Sequence, residues 1–179
     1  MCGIIGIASS KPVSINIINS LKKLEYRGYD SAGLATLTNN IINEKKCSGR
    51  VEELEKILFK TPSNGNIGIG HVRWATHGVP NVVNAHPHSS EKVSVVHNGI
   101  IENSDTIKKE LEKKGLRFKS QTDTEVITLL ITEALKDNEP LESVFKTLAK
   151  LKGSFALGII FKDFADIIIG ARRGSPLAV

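Results

Sequence analysis

The residues that could do chemistry are spread along the chain, and the first stands beside the initiator methionine. Cys2 lies in Met1-Cys2-Gly3-Ile4-Ile5-Gly6-Ile7. Removal of Met1, which a small second residue permits, would put a thiol and an α-amine on one residue. That pairing supplies a nucleophile and its base without a separate histidine. An α-amine has a pKa of roughly 7.7–8.0, so near neutral pH it can take a proton and give it back. Position alone favours a plainer reading, a small buried hydrophobe at the head of a strand.

Four further segments offer partners for such a nucleophile. Arg73-Trp74-Ala75-Thr76-His77-Gly78 ends a strand and enters a long loop. Arg73 there can hold a carboxylate by two parallel hydrogen bonds, although a surface arginine is commoner. Trp74, the only tryptophan, could cover a site or fill the core. Thr76 and His77 add hydroxyl and imidazole donors. His97-Asn98-Gly99 follows a strand. The Asn98 amide and the unshielded Gly99 backbone N–H could converge as an oxyanion hole, or form a common turn dipeptide. Asp123 could hold an ammonium group, or place a favourable charge in a helix's first turn. Arg27, in Tyr26-Arg27-Gly28-Tyr29-Asp30, could lower the pKa of the thiol. It could equally be a helix C-terminal cation before a glycine cap.

These clusters need elements to carry them. Cys2–Ala8 reads as a buried strand. Ile15, Ile18, Leu21 and Leu24 mark a helix face after Ser14, a plausible cap. Ser31–Leu37 and Ile41–Lys46 read as a hairpin across Thr38-Asn39-Asn40. Val51, Leu54, Ile57 and Leu58 mark a second helix, stopped by Pro62. Ile67–Trp74 is a third strand region, and Ala75–Lys92 has no clear periodicity, as functional or disordered loops do. Val93–His97 returns to strand, and Ile107 and Leu111 lie in a polar-faced helix closing at Gly115. Thr122-Asp123-Thr124-Glu125 has the form of a capping box before a helix over Val126–Leu135. Pro140 suits the first turn of a helix carrying Leu141, Val144, Phe145 and Leu148. Ser154–Phe161 and Ile167–Ala171 are apolar strands, and the last residues, Gly174–Val179, read as a strand cut short. Paired helices between hairpin-like strand pairs predict an α+β fold with antiparallel sheets.

Composition narrows the function. With 179 residues, one domain with a real core is expected. Lys and Arg exceed Asp and Glu by 24 to 19, but the lysines alternate with acids on helical stretches, and an aromatic share of 5% gives no stacking platform for nucleic acid. No charged-then-apolar leader and no 18-residue apolar run is present, so neither a signal peptide nor a membrane span is expected, and a cytoplasmic protein is. Cys2 and Cys47 make no disulfide framework. Five histidines invite a zinc reading, but without CxxC, HExxH or a helical i,i+4 pair no metal is expected.

Together, in their order, the amino-terminal Cys-Gly-Ile-Ile-Gly, Tyr26–Gly33, Gly70–Gly78, His97–Asn103 and Thr122–Glu125 resemble the class II glutamine amidotransferase domain, of the amino-terminal-nucleophile hydrolase type. Within that family the similarity is greatest to the glutamine–fructose-6-phosphate aminotransferases (isomerizing), and it runs over residues 2–179. The resemblance implies a four-layer αββα sandwich, here expected to lack its last strands, and hydrolysis of the glutamine side-chain amide without a cofactor. Cys2 matches the nucleophile, its α-amine the base, and Asn98 and Gly99 the oxyanion hole. Arg73 matches the ligand of the glutamine carboxylate and Asp123 that of its ammonium. Thr76 and His77 match further glutamine contacts, Trp74 a closing-loop residue, and Arg27 a supporting arginine. The family's two sugar-isomerase domains, which take fructose 6-phosphate, are not in this chain. It is therefore expected to act alone at most as a glutaminase, and full-length members are expected to be homodimers. Another class II amidotransferase, such as an amidophosphoribosyltransferase, and a non-catalytic fragment are the alternatives.

Overall fold

The computed structural model describes residues 2–75 and 78–179. Two four-stranded antiparallel sheets lie face to face, with helices on both outer sides. The first sheet contains β1 (Gly3–Ala8), β2 (Ser31–Thr38), β3 (Ile41–Ser48) and β4 (Ile67–Arg73), in the order β1-β4-β2-β3. The second contains β5 (His88–Ser89), β6 (Val93–Ile101), β7 (Gly153–Phe161) and β8 (Phe164–Arg173), in chain order.

Period-two alternation sends each strand's side chains to opposite faces. In β4, Ile67 and Ile69 meet Val96 of β6 and Ile160 of β7 between the sheets. Val72, on the other face, packs with Ile17, Ile18 and Leu21 of α1 (Ser14–Leu24) and with Leu54 of α2 (Val51–Lys60). On the far side, Val93, Val95 and Ile101 of β6 join Ile107 of α3 (Ser104–Lys113), Ile127 and Ile131 of α4 (Glu125–Ala134), and Val144 of α5 (Pro140–Leu148). Three cores separated by two sheets give the expected four-layer αββα arrangement.

Several local expectations need correction. A strict three-residue repeat drifts about 60° per step around a helix, so Ile15, Ile18, Leu21 and Leu24 cannot share one face. Ile17 is buried instead, and Ile15 is 63% exposed. Ser14 does not cap α1; Val13 occupies that position, and the Ser14 hydroxyl donates to the Ser63 carbonyl. In α5, Leu141 and Phe145 face outward, while Ser143, Val144 and Thr147 are buried. The β2–β3 turn is as expected, with Asn39 and Asn40 both left-handed at φ 50° and 58°, the geometry that matches the twist of flanking strands. Residues 175–179 belong to no strand; Leu177, Ala178 and Val179 line an apolar cleft beside Ile4 of β1 and Leu157 of β7.

Candidate active site

Cys2 precedes β1 and lies at one end of the inter-sheet layer. Its nitrogen donates to Asn98 Oδ1 of β6 at 3.2 Å, a contact between the two sheets. Its Sγ lies against the main chain of Trp74, accepting from the Trp74 N–H at 3.4 Å and approaching the Trp74 carbonyl at 3.6 Å. Burial pushes the thiol above its ordinary pKa; the hydrogen bond from Trp74 and the charge of Arg73 pull the other way. The expectation that Arg27 lowers the thiol pKa is therefore corrected. Its Nε donates to the Cys2 carbonyl at 3.1 Å, holding the main chain rather than the sulfur.

Arg73, the last residue of β4, is 3% exposed, so it is no ordinary surface arginine. Its guanidinium reaches the carbonyls of Gly78 (3.3 Å) and Val79 (3.4 Å) and stands 3.9 Å from the Asp30 carboxylate. Asp30 also accepts from the Ala75 N–H. Gly28 lets the Tyr26–Asp30 segment run close beneath this turn: a Cβ there would sit 2.4 Å from the Arg73 carbonyl carbon. Gly28 is also the expected cap: its N–H donates to the Glu25 carbonyl at 3.0 Å and closes the 3₁₀ turn Glu25–Arg27, with an extended φ of 176°. Trp74 is half exposed and stacks edge-on against Tyr29 at 5.8 Å, so it belongs to the site's rim and not to the core.

Asn98 and Gly99 lie inside β6, opposite Ala156 and Phe155, not after a strand and not in a turn. Gly99 has φ 151°, and a Cβ there would lie 2.1 Å from the Ser154 carbonyl oxygen. Only glycine fits, and its main chain stays open to the cavity.

The Thr122–Glu125 capping box does not form either. The Thr124 hydroxyl makes no cap bond to α4. The Glu125 carboxylate accepts from the N–H groups of Lys119 and Ser120. Asp123 lies ahead of the helix, nearly buried, and its carboxylate accepts from the Ile101 N–H at 2.8 Å.

A cavity of about 20 Å³ is lined by Cys2, Arg73, Trp74, Gly99 and Asp123, with His86, His97, Thr122 and Thr124. Five of the expected site residues thus meet in one place, and Asn98 and Arg27 touch Cys2 from behind. Thr76 and His77 lie outside the described residues.

Sequence reasoning missed the support beneath this cavity. His71 donates from Nε2 to the His97 carbonyl (2.9 Å), and its ring stacks on His86 at 4.1 Å. His86 Nε2 and His97 Nδ1 both meet Thr124 Oγ1, at 2.7 and 2.9 Å. His88 Nε2 meets Thr122 Oγ1 at 2.9 Å. Burial depresses the first of these histidines to a pKa of about 3, and His86 and His88 well below the usual range. Asn84 binds Val79 and Gln121, fixing the long loop that periodicity left undefined. The signal available was the histidine-rich stretch itself. It drew attention as a metal candidate, and its rings instead serve as hydrogen-bonding struts.

The fold and this site agree with the comparisons. The glutamine amidotransferase domain family matches residues 72–174, and the chain belongs to it. Its fold is that of the amino-terminal-nucleophile hydrolases. Over its whole length the chain is 52% identical to a glutamine–fructose-6-phosphate aminotransferase [isomerizing] of Bradyrhizobium diazoefficiens, and 51% identical to one of Caulobacter vibrioides. It spans 30% of the length of each. Among solved structures, a glutamine phosphoribosylpyrophosphate amidotransferase from B. subtilis superimposes with a TM-score of 0.79 at 26% identity, over 90% of this chain and 35% of that one. A glutamine aminotransferase class-II domain protein from Silicibacter pomeroyi shares the fold, with a TM-score of 0.65 at 14% identity, over 98% of this chain and 78% of that one.

Proposed function

We propose that this chain is the glutaminase part of a glutamine–fructose-6-phosphate aminotransferase. The carrying observation is the convergence of Cys2, Arg73, Gly99 and Asp123, from four distant segments, on one cavity. Once Met1 is removed, the nitrogen that donates to Asn98 becomes the α-amine, positioned beside its own thiol. The amine takes the thiol proton, and Sγ attacks the side-chain amide carbon of glutamine. The oxyanion is received by the Gly99 N–H and the Asn98 amide, whose Oδ1 is already engaged by Cys2. The C–N bond breaks as the amine returns its proton to the departing ammonia. Water, activated by the same amine, then cleaves the thioester to release glutamate.

Substrate orientation follows from charge. Arg73 takes the α-carboxylate and Asp123 the α-ammonium, with Thr76 and His77 as further contacts and Arg27 holding the Cys2 carbonyl. The Trp74 main chain lies against Sγ and Trp74 lines the cavity, which suits the closing-loop role for this residue. The ammonia is passed to fructose 6-phosphate bound by sugar-isomerase domains, in a homodimer working in the cytoplasm as part of hexosamine synthesis. No helix among the described residues is long and apolar enough to cross a membrane.

Glutamate and ammonia release from glutamine tests the first half, with Cys2→Ala as the control and intact mass reporting Met1 removal. Activity that survives Cys2→Ala, or full activity with Met1 retained, refutes the mechanism. The full-length protein tests the second half. Product from fructose 6-phosphate supports this reading. Product from phosphoribosyl pyrophosphate would favour the amidophosphoribosyltransferase alternative, which the 26% identical solved structure keeps in view.

A further inference from the structure

The hydroxyl of Thr124 has an unusual position for a residue at a helix start. It makes no cap bond, is fully buried, and is shared by two imidazoles from different segments. Thr124 adjoins Asp123 in sequence, and His97 adjoins Asn98. The hydroxyl therefore joins the segment carrying the proposed ammonium ligand to the strand carrying the proposed oxyanion donors.

Hydrogen-bond accounting shows what this junction demands. The partner of His71 Nε2 is a carbonyl, which can only accept, so the hydrogen of His71 is on Nε2. A threonine hydroxyl has one hydrogen. Two bonds at Thr124 Oγ1 therefore require at least one of the two imidazoles to donate to it, His86 from Nε2 or His97 from Nδ1. Strong burial keeps His71 and His86 neutral, so each of these two rings carries a single hydrogen. A buried polar group left unpaired is costly, and the one hydroxyl satisfies both rings.

We propose that Thr124 is a positioning residue of the glutaminase site, its hydroxyl forming a hydrogen-bond relay between His86 and His97 and thereby locking Asp123 and Asn98–Gly99 in register. This rests on the reading of those residues as glutamine ligands and oxyanion donors. The methyl group of Thr124 is not the active part. Serine preserves the relay, and valine, of the same shape, removes it and strands one imidazole nitrogen on each side.

The test uses the intact protein carrying this chain. Thr124→Val is expected to lower kcat/KM for glutamine hydrolysis about tenfold, the worth of one buried hydrogen bond. The loss should lie mainly in KM, because Asp123 faces the bound ammonium. Thr124→Ser should recover to within about threefold of the parent. Parent-like kinetics in a folded Thr124→Val protein would overturn the proposal, as would a serine variant no better than valine. Should Thr124→Val fail to fold, ¹⁵N NMR of histidine-labelled parent protein still decides. His71 is expected as the Nε2–H tautomer, with a hydrogen on His86 Nε2, on His97 Nδ1 or on both, and hydrogens on His86 Nδ1 and His97 Nε2 together refute the relay, because one hydroxyl hydrogen cannot serve two acceptors. A parent protein with no glutaminase activity would instead sink the functional reading, and the kinetic half of the proposal with it, while the tautomers still report on the relay itself.

Discussion

The two walls of the cavity are built in opposite ways. On the Cys2 wall the partners are main-chain groups near the surface: the Trp74 N–H and carbonyl on Sγ, and the Cys2 carbonyl on Arg27. Trp74 itself is half exposed. On the Asn98–Asp123 wall the partners are buried side chains. His71, His86, His88, Thr122 and Thr124 interlock beneath β6 and the start of α4. The first arrangement can open with the loss of a few weak contacts. The second resists displacement, because any shift leaves a buried polar group unpaired. The proposed glutaminase reaction, which admits glutamine and then holds an oxyanion, would use both: a wall that moves and a wall with fixed donors.

Removing the thiol is the largest break on the mobile wall. Cys2→Ala should abolish ammonia release, a loss of at least about 10³-fold, with the fold retained by circular dichroism because Cys2 fills no core. Acid should separate the walls next. His71, His86 and His88 are neutral when folded, with pKa values below the unfolded value of about 6.5. The unfolded chain therefore binds more protons below that pH. The stability from burying these rings is fully present above pH 6.5 and is lost as pH falls toward about 3, where His71 titrates. Each histidine contributes a slope of about 1.4 kcal/mol per pH unit, so urea midpoints should drop steeply between pH 6.5 and 5.

On the rigid wall, Gly99→Ala forces a Cβ to within 2.1 Å of the Ser154 carbonyl. It should cut kcat by roughly 10²-fold or more through a displaced oxyanion donor, measured beside a thermal melt. Asp123→Asn retains an acceptor for the Ile101 N–H but loses the charge. It should raise KM for glutamine by about ten- to a hundredfold, with a smaller effect on kcat. The smallest expected effect is on the thiol. Because burial raises its pKa, alkylation of Cys2 by iodoacetamide should show its midpoint above that of a free cysteine peptide. A midpoint below it would mean that the Trp74 contacts and Arg73, not burial, dominate.

Legibility differed between the walls as well. Cys2, Arg73, Trp74 and Asp123 were found because their chemistry is local: a residue type, a position and a neighbouring motif. His71, His86 and Thr124 were passed over because their role exists only in pairs 26 to 38 residues apart in sequence. The β-strand under Asn98–Gly99 was cut short for a related reason. An Asn-Gly pair has a strong turn preference, and pairing with Ala156 and Phe155 overrides it.

Sequence alone determined most of the strands, the β2–β3 hairpin and the α+β class, and it singled out Cys2 as the candidate nucleophile, because period-two alternation, turn chemistry and a terminal cysteine are properties of short segments. Tertiary structure alone decided that Arg27 holds a carbonyl and not the thiol, that Gly28 and Gly99 serve close main-chain approach, and that four histidines hydrogen-bond beneath the cavity. Those outcomes depend on which distant groups become buried together, where an unpaired polar atom is costly and a missing Cβ is decisive.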